Sequence, residues 1–175
     1  KPTQRKVVYI ANKIWKTGNE KPMKLFQLAG RVAAEAFYHH GNTSLESSMV
    51  GMAQKFKNSL PLLEGIGQFG SLRSPSAGAP RYISAKLHPN FRLLYQDFDL
   101  LENKIEEGEK IEPAFFLPIV PTVILNGTSG IAVGFATNIL NRNPKDVVDA
   151  CISTLNNKKM KVLAPWIQEF KGTFI

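Results

Sequence analysis

Apolar residues recur at helical spacing through the first third of the chain. Val7, Ile10, Ala11 and Ile14 predict a helix to about Lys16, entered through Pro2 with Thr3 in a capping position. Thr17-Gly18-Asn19 reads as a turn. A second helix is predicted from about Met23 to Phe37, with Leu25, Leu28, Val32 and Ala36 along one side, and Tyr38-His39-His40-Gly41 breaks it. Asn42, Thr43 or Ser44 can cap a third helix in which Leu45, Met49, Met52 and Phe56 repeat. Two amphipathic helices joined by a short glycine-bearing turn make a helix-turn-helix candidate.

The spacing then changes. Gly65-Ile66-Gly67-Gln68-Phe69-Gly70 leads into a Ser/Pro/Gly-rich loop that closes on Pro80-Arg81-Tyr82, and Ile83-Ser84-Ala85 reads as a short strand. A glycine-rich loop and short strands behind a helix-turn-helix form a wing, so the expected class is α+β: a helix-rich winged-helix domain. The stretch from Leu87 to Glu112 gathers acids, among them Asp97, Asp99, Glu106 and Glu112, and reads as a solvated face or a protein-contact patch. Pro113 to Pro121 is predicted to be an extended connector with Phe115, Phe116 and Leu117 buried, and a domain boundary is placed near residue 117. Beyond it come a strand candidate at Thr122 to Leu125 and a tight turn at Asn126-Gly127-Thr128-Ser129-Gly130. Small and larger apolar groups then alternate from Ile131 to Ala136. A last helix is expected to open at Asn143-Pro144 and run through Leu155, with Val147, Val148, Cys151 and Ile152 facing a core.

Composition narrows what such a chain can do. The 175 residues are 43% hydrophobic, enough for a packed core. Lys and Arg total 22 against 14 Asp and Glu, a net charge of +8, which suits a polyanion such as nucleic acid or an acidic membrane surface. With the acids segregated between Asp97 and Glu112, the remainder is more basic still. No apolar run approaches the roughly 18 residues of a membrane span. The single cysteine, Cys151, forms no disulfide within the chain, which favours a reducing, cytoplasmic setting. Starting at Lys1 and stopping at Ile175, the sequence is expected to be a fragment.

Candidate chemistry centres on Tyr82. A phenol is a poor nucleophile at its ordinary pKa of about 10, and cations beside it favour attack on a phosphate. Arg81 is the adjacent cation, although a wing whose tyrosine merely packs fits the same residues. Arg5 and Lys6 put positive charge into the opening turn of the first helix, against its dipole, and suit either a phosphate partner or a solvated basic face. Adjacent His39 and His40 would face different ways and lack a third ligand, so they suggest hydrogen bonding rather than metal binding. Ile131, flanked by glycines, can be buried or can project as a wedge between base pairs; burial is the ordinary outcome.

Six blocks in order carry a resemblance. They are Lys1-Pro2-Thr3-Gln4-Arg5-Lys6-Val7-Val8-Tyr9, Tyr38-His39-His40-Gly41, Met52-Ala53-Gln54, Gly65-Ile66-Gly67-Gln68-Phe69-Gly70, Pro80-Arg81-Tyr82-Ile83 and Asn126-Gly127-Thr128-Ser129-Gly130-Ile131-Ala132-Val133-Gly134. Together, over residues 1 to 145, they resemble the breakage-reunion domain of type IIA DNA topoisomerases, the gyrase A-like subunit. The adjacent histidines look like the eukaryotic and phage forms, while the block from Asn126 looks bacterial; the mixture points to the bacteriophage branch.

The resemblance implies a winged-helix DNA-cleavage domain over residues 1–117 and the N-terminal part of an α/β tower domain over 118–175. It casts Tyr82 as the nucleophile that forms a transient 5′-phosphotyrosine, Arg81 as its transition-state partner, and Arg5 and His40 as catalytic helpers. Lys1, Lys6, His39, Gln68 and Ile131 would contact DNA, Ile131 as the bending wedge. Asn42, Thr43, Ser44 and Ser47 lie where the family's drug-contacting helix begins, with Thr43 in place of gyrase's usual serine. No metal site is expected in this chain: Mg²⁺ would come from a TOPRIM domain on another subunit, with ATP bound elsewhere in the holoenzyme. Partners would be double-stranded DNA, a second copy of the chain and the TOPRIM/ATPase subunit. The alternative is a winged-helix protein that binds DNA without chemistry.

Overall fold

The computed structural model describes residues 1–18 and 20–173; Asn19, the last residue of the expected turn, lies outside them. Helix α1 spans Pro2–Ile14, with Pro2 rather than a capped Thr3 at its first position, where a missing N–H costs nothing. Its Val7, Val8, Ile10 and Ala11 are buried. Strand β1 (Met23–Lys24) takes the two residues expected to open the second helix, and α2 follows as Leu25–Glu35. Helix α3 covers Asn42–Ala53 behind Gly41, with no side-chain cap from Asn42, Thr43 or Ser44, and Phe56 lies beyond its end. Strands β2 (Leu63–Ile66) and β3 (Ser84–Leu87) pair antiparallel, and β1 adds to the other edge of β3, giving the order β1-β3-β2. Three helices, this small sheet and the long loop between β2 and β3 make the expected winged helix.

Helix α4 (Asn90–Leu94) and a 3₁₀ turn at Phe98–Leu100 lead to a hairpin of β4 (Asn103–Glu106) and β5 (Glu109–Pro113). Three further expectations fail downstream. Phe115 and Leu117 are exposed, and only Phe116 turns inward, against the rings of Tyr95 and Phe98. Thr122–Leu125 is a short helix, α5, not a strand. A second hairpin, β6 (Thr128–Ala132) and β7 (Phe135–Ile139), turns through Gly134 at φ +75°, so Thr128, Ser129 and Gly130 of the expected tight turn lie in a strand.

Helix α6 (Pro144–Leu155) begins as expected, the Asn143 side chain accepting from the Lys145 backbone N–H. It buries Val147 and Ala150 but leaves Val148 and Ile152 substantially exposed. Leu125 and Val147 pack into the core that α1 to α3 build. Among the described residues no helix is long and apolar enough to cross a membrane.

Candidate active site and nucleic-acid face

The site begins with how the wing is held. Gln54, buried at the end of α3, donates from Nε2 to the carbonyls of Phe69 (2.8 Å) and Pro75 (2.9 Å), clasping both sides of the loop. Gly70 sits at φ +82°, and a Cβ there would lie 2.6 Å from the Pro75 carbonyl oxygen, so only glycine fits. Gln68 donates to Ser76 O, and its own carbonyl accepts from Gly78 N–H. The loop is a compact, self-bonded wing that delivers Pro80 to Ile83 at the start of β3.

Within it Tyr82 is presented outward. The chain has four tyrosines: Tyr38 and Tyr95 are buried, Tyr9 is half-buried with its hydroxyl donating to Lys110 O, and Tyr82 is 73% exposed. Burial raises the Tyr95 phenol above its ordinary pKa against the opposing Thr122 hydrogen bond. Burial raises Tyr9 as well, with Glu112 and Glu35 adding to it. Both are thereby poorer nucleophiles. The Arg81 guanidinium lies 5.7 Å from the centre of the Tyr82 ring, close enough for a cation–π contact. The turn is fixed from below: Tyr82 N–H donates to Ala79 O (2.9 Å), Phe26 N–H to Pro80 O (3.3 Å) and Leu25 N–H to Ile83 O (3.1 Å).

The other anticipated residues fall into separate groups. Lys1, Gln4 and Arg5 line a cavity of about 250 Å³ between the start of α1 and the base of the second hairpin at Asn126, Gly127 and Thr128. Arg5 Nε is buried there without a partner. His39 and His40 are both exposed in the turn before α3; the His40 ring sits edge-on to Tyr38 at 5.3 Å, and His39 Nε2 lies 3.2 Å from Glu106 Oε1. Asn42, Thr43, Ser44 and Ser47 are exposed on the first turns of α3. Ile131 is 93% exposed near the hairpin tip, against the burial that its residue type alone suggests and in the exposed state that the wedge implied by the resemblance needs.

The acidic stretch is not wholly solvated. Glu112 is fully buried, its Oε2 accepting from Lys6 Nζ at 3.1 Å. Its Oε1 lies 2.8 Å from Lys104 Nζ, in ion-pair range though outside hydrogen-bond geometry. Lys6 also donates to Ala36 O and lies 3.7 Å from Glu106. Its side chain is 12% exposed and its ammonium is thus spent inside the fold, which accounts for a cation in α1 without invoking a phosphate. Among the described residues no three His, Cys, Asp or Glu side chains come together as metal ligands.

Sequence reasoning passed over Lys24, read Glu106 and Glu112 only as members of an acidic face, and placed Asn126 only in a turn. Asn126 both donates to and accepts from the Leu60 backbone, fixing the base of the second hairpin to the segment before β2. The only available signal for Lys24 was a lysine where a helix begins, a position that disfavours cations.

Comparison with known proteins gives a uniform result. The family model for the DNA gyrase/topoisomerase IV A-subunit matches residues 1–174. DNA topoisomerase 2 of Bombyx mori is 40% identical over 178 residues, 98% of this chain and 11% of that protein. The mitochondrial DNA topoisomerase 2 of Dictyostelium discoideum is 45% identical over 181 residues, 99% of this chain and 14% of the relative. DNA topoisomerase 2 of Acanthamoeba polyphaga mimivirus is 36% identical, again over 99% of this chain and 14% of the relative. Among solved structures, the Plasmodium falciparum topoisomerase II DNA-binding, cleavage and re-ligation domain superposes with a TM-score of 0.89 at 38% identity. It covers 99% of this chain and 24% of that one. The chain therefore spans a small part of each relative's length.

Proposed function

The chain belongs to the DNA gyrase/topoisomerase IV A-subunit family, and on that premise we propose that it is the DNA-cleaving and religating part of an ATP-dependent type IIA topoisomerase. The observation that carries this reading is Tyr82: the one exposed tyrosine of the four, on a pinned turn beside Arg81, in a chain of net charge +8. The Tyr82 oxygen attacks a backbone phosphorus, the phenolic proton leaves, and the 3′-oxygen departs as a free hydroxyl. The phosphotyrosine retains the energy of the phosphodiester, so attack by the same 3′-hydroxyl reseals the strand without a nucleotide at this site. Arg81 offsets charge as it develops on the phosphate. Arg5 and Lys1, which line one cleft, bind the flanking backbone. His40 and His39 add donors at the start of α3, Gln68 contacts DNA from the wing, and Ile131 enters between base pairs. Lys6 could reach DNA only by leaving Glu112.

The remainder of the proposal concerns the assembly. Residues 1–117 act as the winged-helix cleavage domain and 118–175 as the start of a tower domain. Type II topoisomerases use Mg²⁺ and ATP; here the metal is supplied by a TOPRIM domain and ATP binds elsewhere. A second copy provides the tyrosine for the opposite strand, and the complex works in the cytoplasm. The mixed motif character favours the medium subunit of the T-even bacteriophage enzyme. Asn42, Thr43, Ser44 and Ser47 are the drug-facing residues of α3.

The test is trapping. The full enzyme, given Mg²⁺ and duplex DNA and then denatured, yields covalent protein–DNA adducts with wild type and none with Tyr82→Phe, while DNA binding persists. Equal adducts from the variant would remove Tyr82 as nucleophile. Binding without adducts from wild type would favour the non-catalytic winged helix.

A further inference from the structure

We propose that Lys24 is a positioning residue for Tyr82, holding the backbone that carries the phenol; the inference rests on the reading of Tyr82 as nucleophile. Lys24 Nζ donates to the Tyr82 carbonyl at 2.9 Å. That carbonyl lies just ahead of β3, while Lys24 itself pairs with Ser84 in the ladder. The ammonium therefore ties the edge strand to the last residue of the wing.

Stability gives no reason for a lysine there. Lys24 is the N-cap of α2, a position that favours Ser, Thr, Asp or Asn because their oxygens accept from the first free N–H groups. A cation at this end opposes the helix dipole, and the first turn of α2 contains no acid to offset it. The two leading N–H groups of α2 go instead to Ile83 and Pro80, on either side of the nucleophile. With Lys24 on the carbonyl between them, Pro80, Tyr82 and Ile83 are each held by a donor from 24–26. The side chain of Tyr82 is 73% exposed and touched mainly by the Arg81 guanidinium. The approach of its oxygen to phosphorus is governed by the backbone beneath it, and small misplacements at a reacting centre are costly.

Lys24→Met and Lys24→Arg, made in the full enzyme with Mg²⁺, test this by separating cleavage from binding. At saturating duplex, Lys24→Met is expected to form the covalent adduct about tenfold more slowly, with duplex Kd within about twofold of wild type and an unchanged melting temperature, as suits an exposed side chain. Lys24→Arg, which keeps a charged donor, is expected to restore most of the rate. Lys24→Met cleaving at the wild-type rate would overturn the proposal. So would a loss of binding equal to the loss of cleavage, a loss matching a lost folded fraction, or failure of Lys24→Arg to rescue. Tyr82→Phe run alongside keeps the two readings apart: if it still cleaves, the nucleophile assignment fails whatever Lys24 does, and if it is dead while Lys24→Met is normal, only Lys24 falls.

Discussion

The hairpin of β4 and β5 and the hairpin of β6 and β7 are both short antiparallel pairs closed by tight turns, yet they dispose of their side chains in opposite ways. The first turns through Glu107 and Gly108, both at positive φ, and buries Ile111, Glu112 and Pro113 against the body. Glu112 reaches Lys6 on α1, Tyr9 on α1 donates to Lys110 O, and Glu106 reaches His39. The second turns through Gly134 and leaves Ile131 93%, Val133 100% and Phe135 82% exposed. One hairpin hides a charge and the other displays hydrocarbon. A large apolar side chain left in water forgoes about 1.5–3 kcal/mol of burial, so three at one tip call for a use outside the chain. A buried carboxylate is tolerable only with its cations in place, so the acidic hairpin is an anchor.

The largest effect that would test this contrast is removal of that anchor. Glu112→Ala leaves Lys6 largely buried without its main counter-charge and is expected to cost about 3 kcal/mol in denaturant unfolding; a loss under about 1 kcal/mol would make the pair ornamental. Next comes the base of the second hairpin. Gly127 sits at φ +65°, and a Cβ would fall 2.3 Å from the Ile139 carbonyl oxygen, so Gly127→Ala should cost about 1–3 kcal/mol. Hydrogen exchange should localise that damage to β6 and β7 and spare the amides of α1. The smallest effect on stability belongs to the tip. Ile131→Ala should shift unfolding by no more than about 0.5 kcal/mol while reducing duplex bending, read by end-to-end fluorescence transfer on a labelled duplex. A destabilised protein with unaltered bending would mean that the tip packs rather than wedges.

Helical periodicity marked out α1, most of α2, α3 and α6, because 3.6-residue spacing persists over several turns in each, and the Asn143 cap was readable from its position before Pro144. The adjacency of Arg81 and Tyr82 behind a glycine-rich loop was equally plain, being local in the chain. Thr122–Leu125 was misread because a four-residue apolar run has no period by which to tell helix from strand. The burial of Glu112 was unreadable for a different reason: its partner Lys6 is 106 residues away, and nothing in an acidic stretch says which carboxylate a distant cation will claim.

Sequence alone therefore determined the helices of the winged-helix scaffold and the pairing of Arg81 with Tyr82, since both rest on residues close in the chain, whereas the pairing of Met23 with Ala85 does not. Tertiary structure alone decided that Lys24 reaches the Tyr82 carbonyl, that Lys6 is spent on Glu112, and that one acid among many is the keystone. Those outcomes depend on which distant surfaces meet, and the choice is made by packing, where an unpaired charge is too costly to bury and a paired one is not.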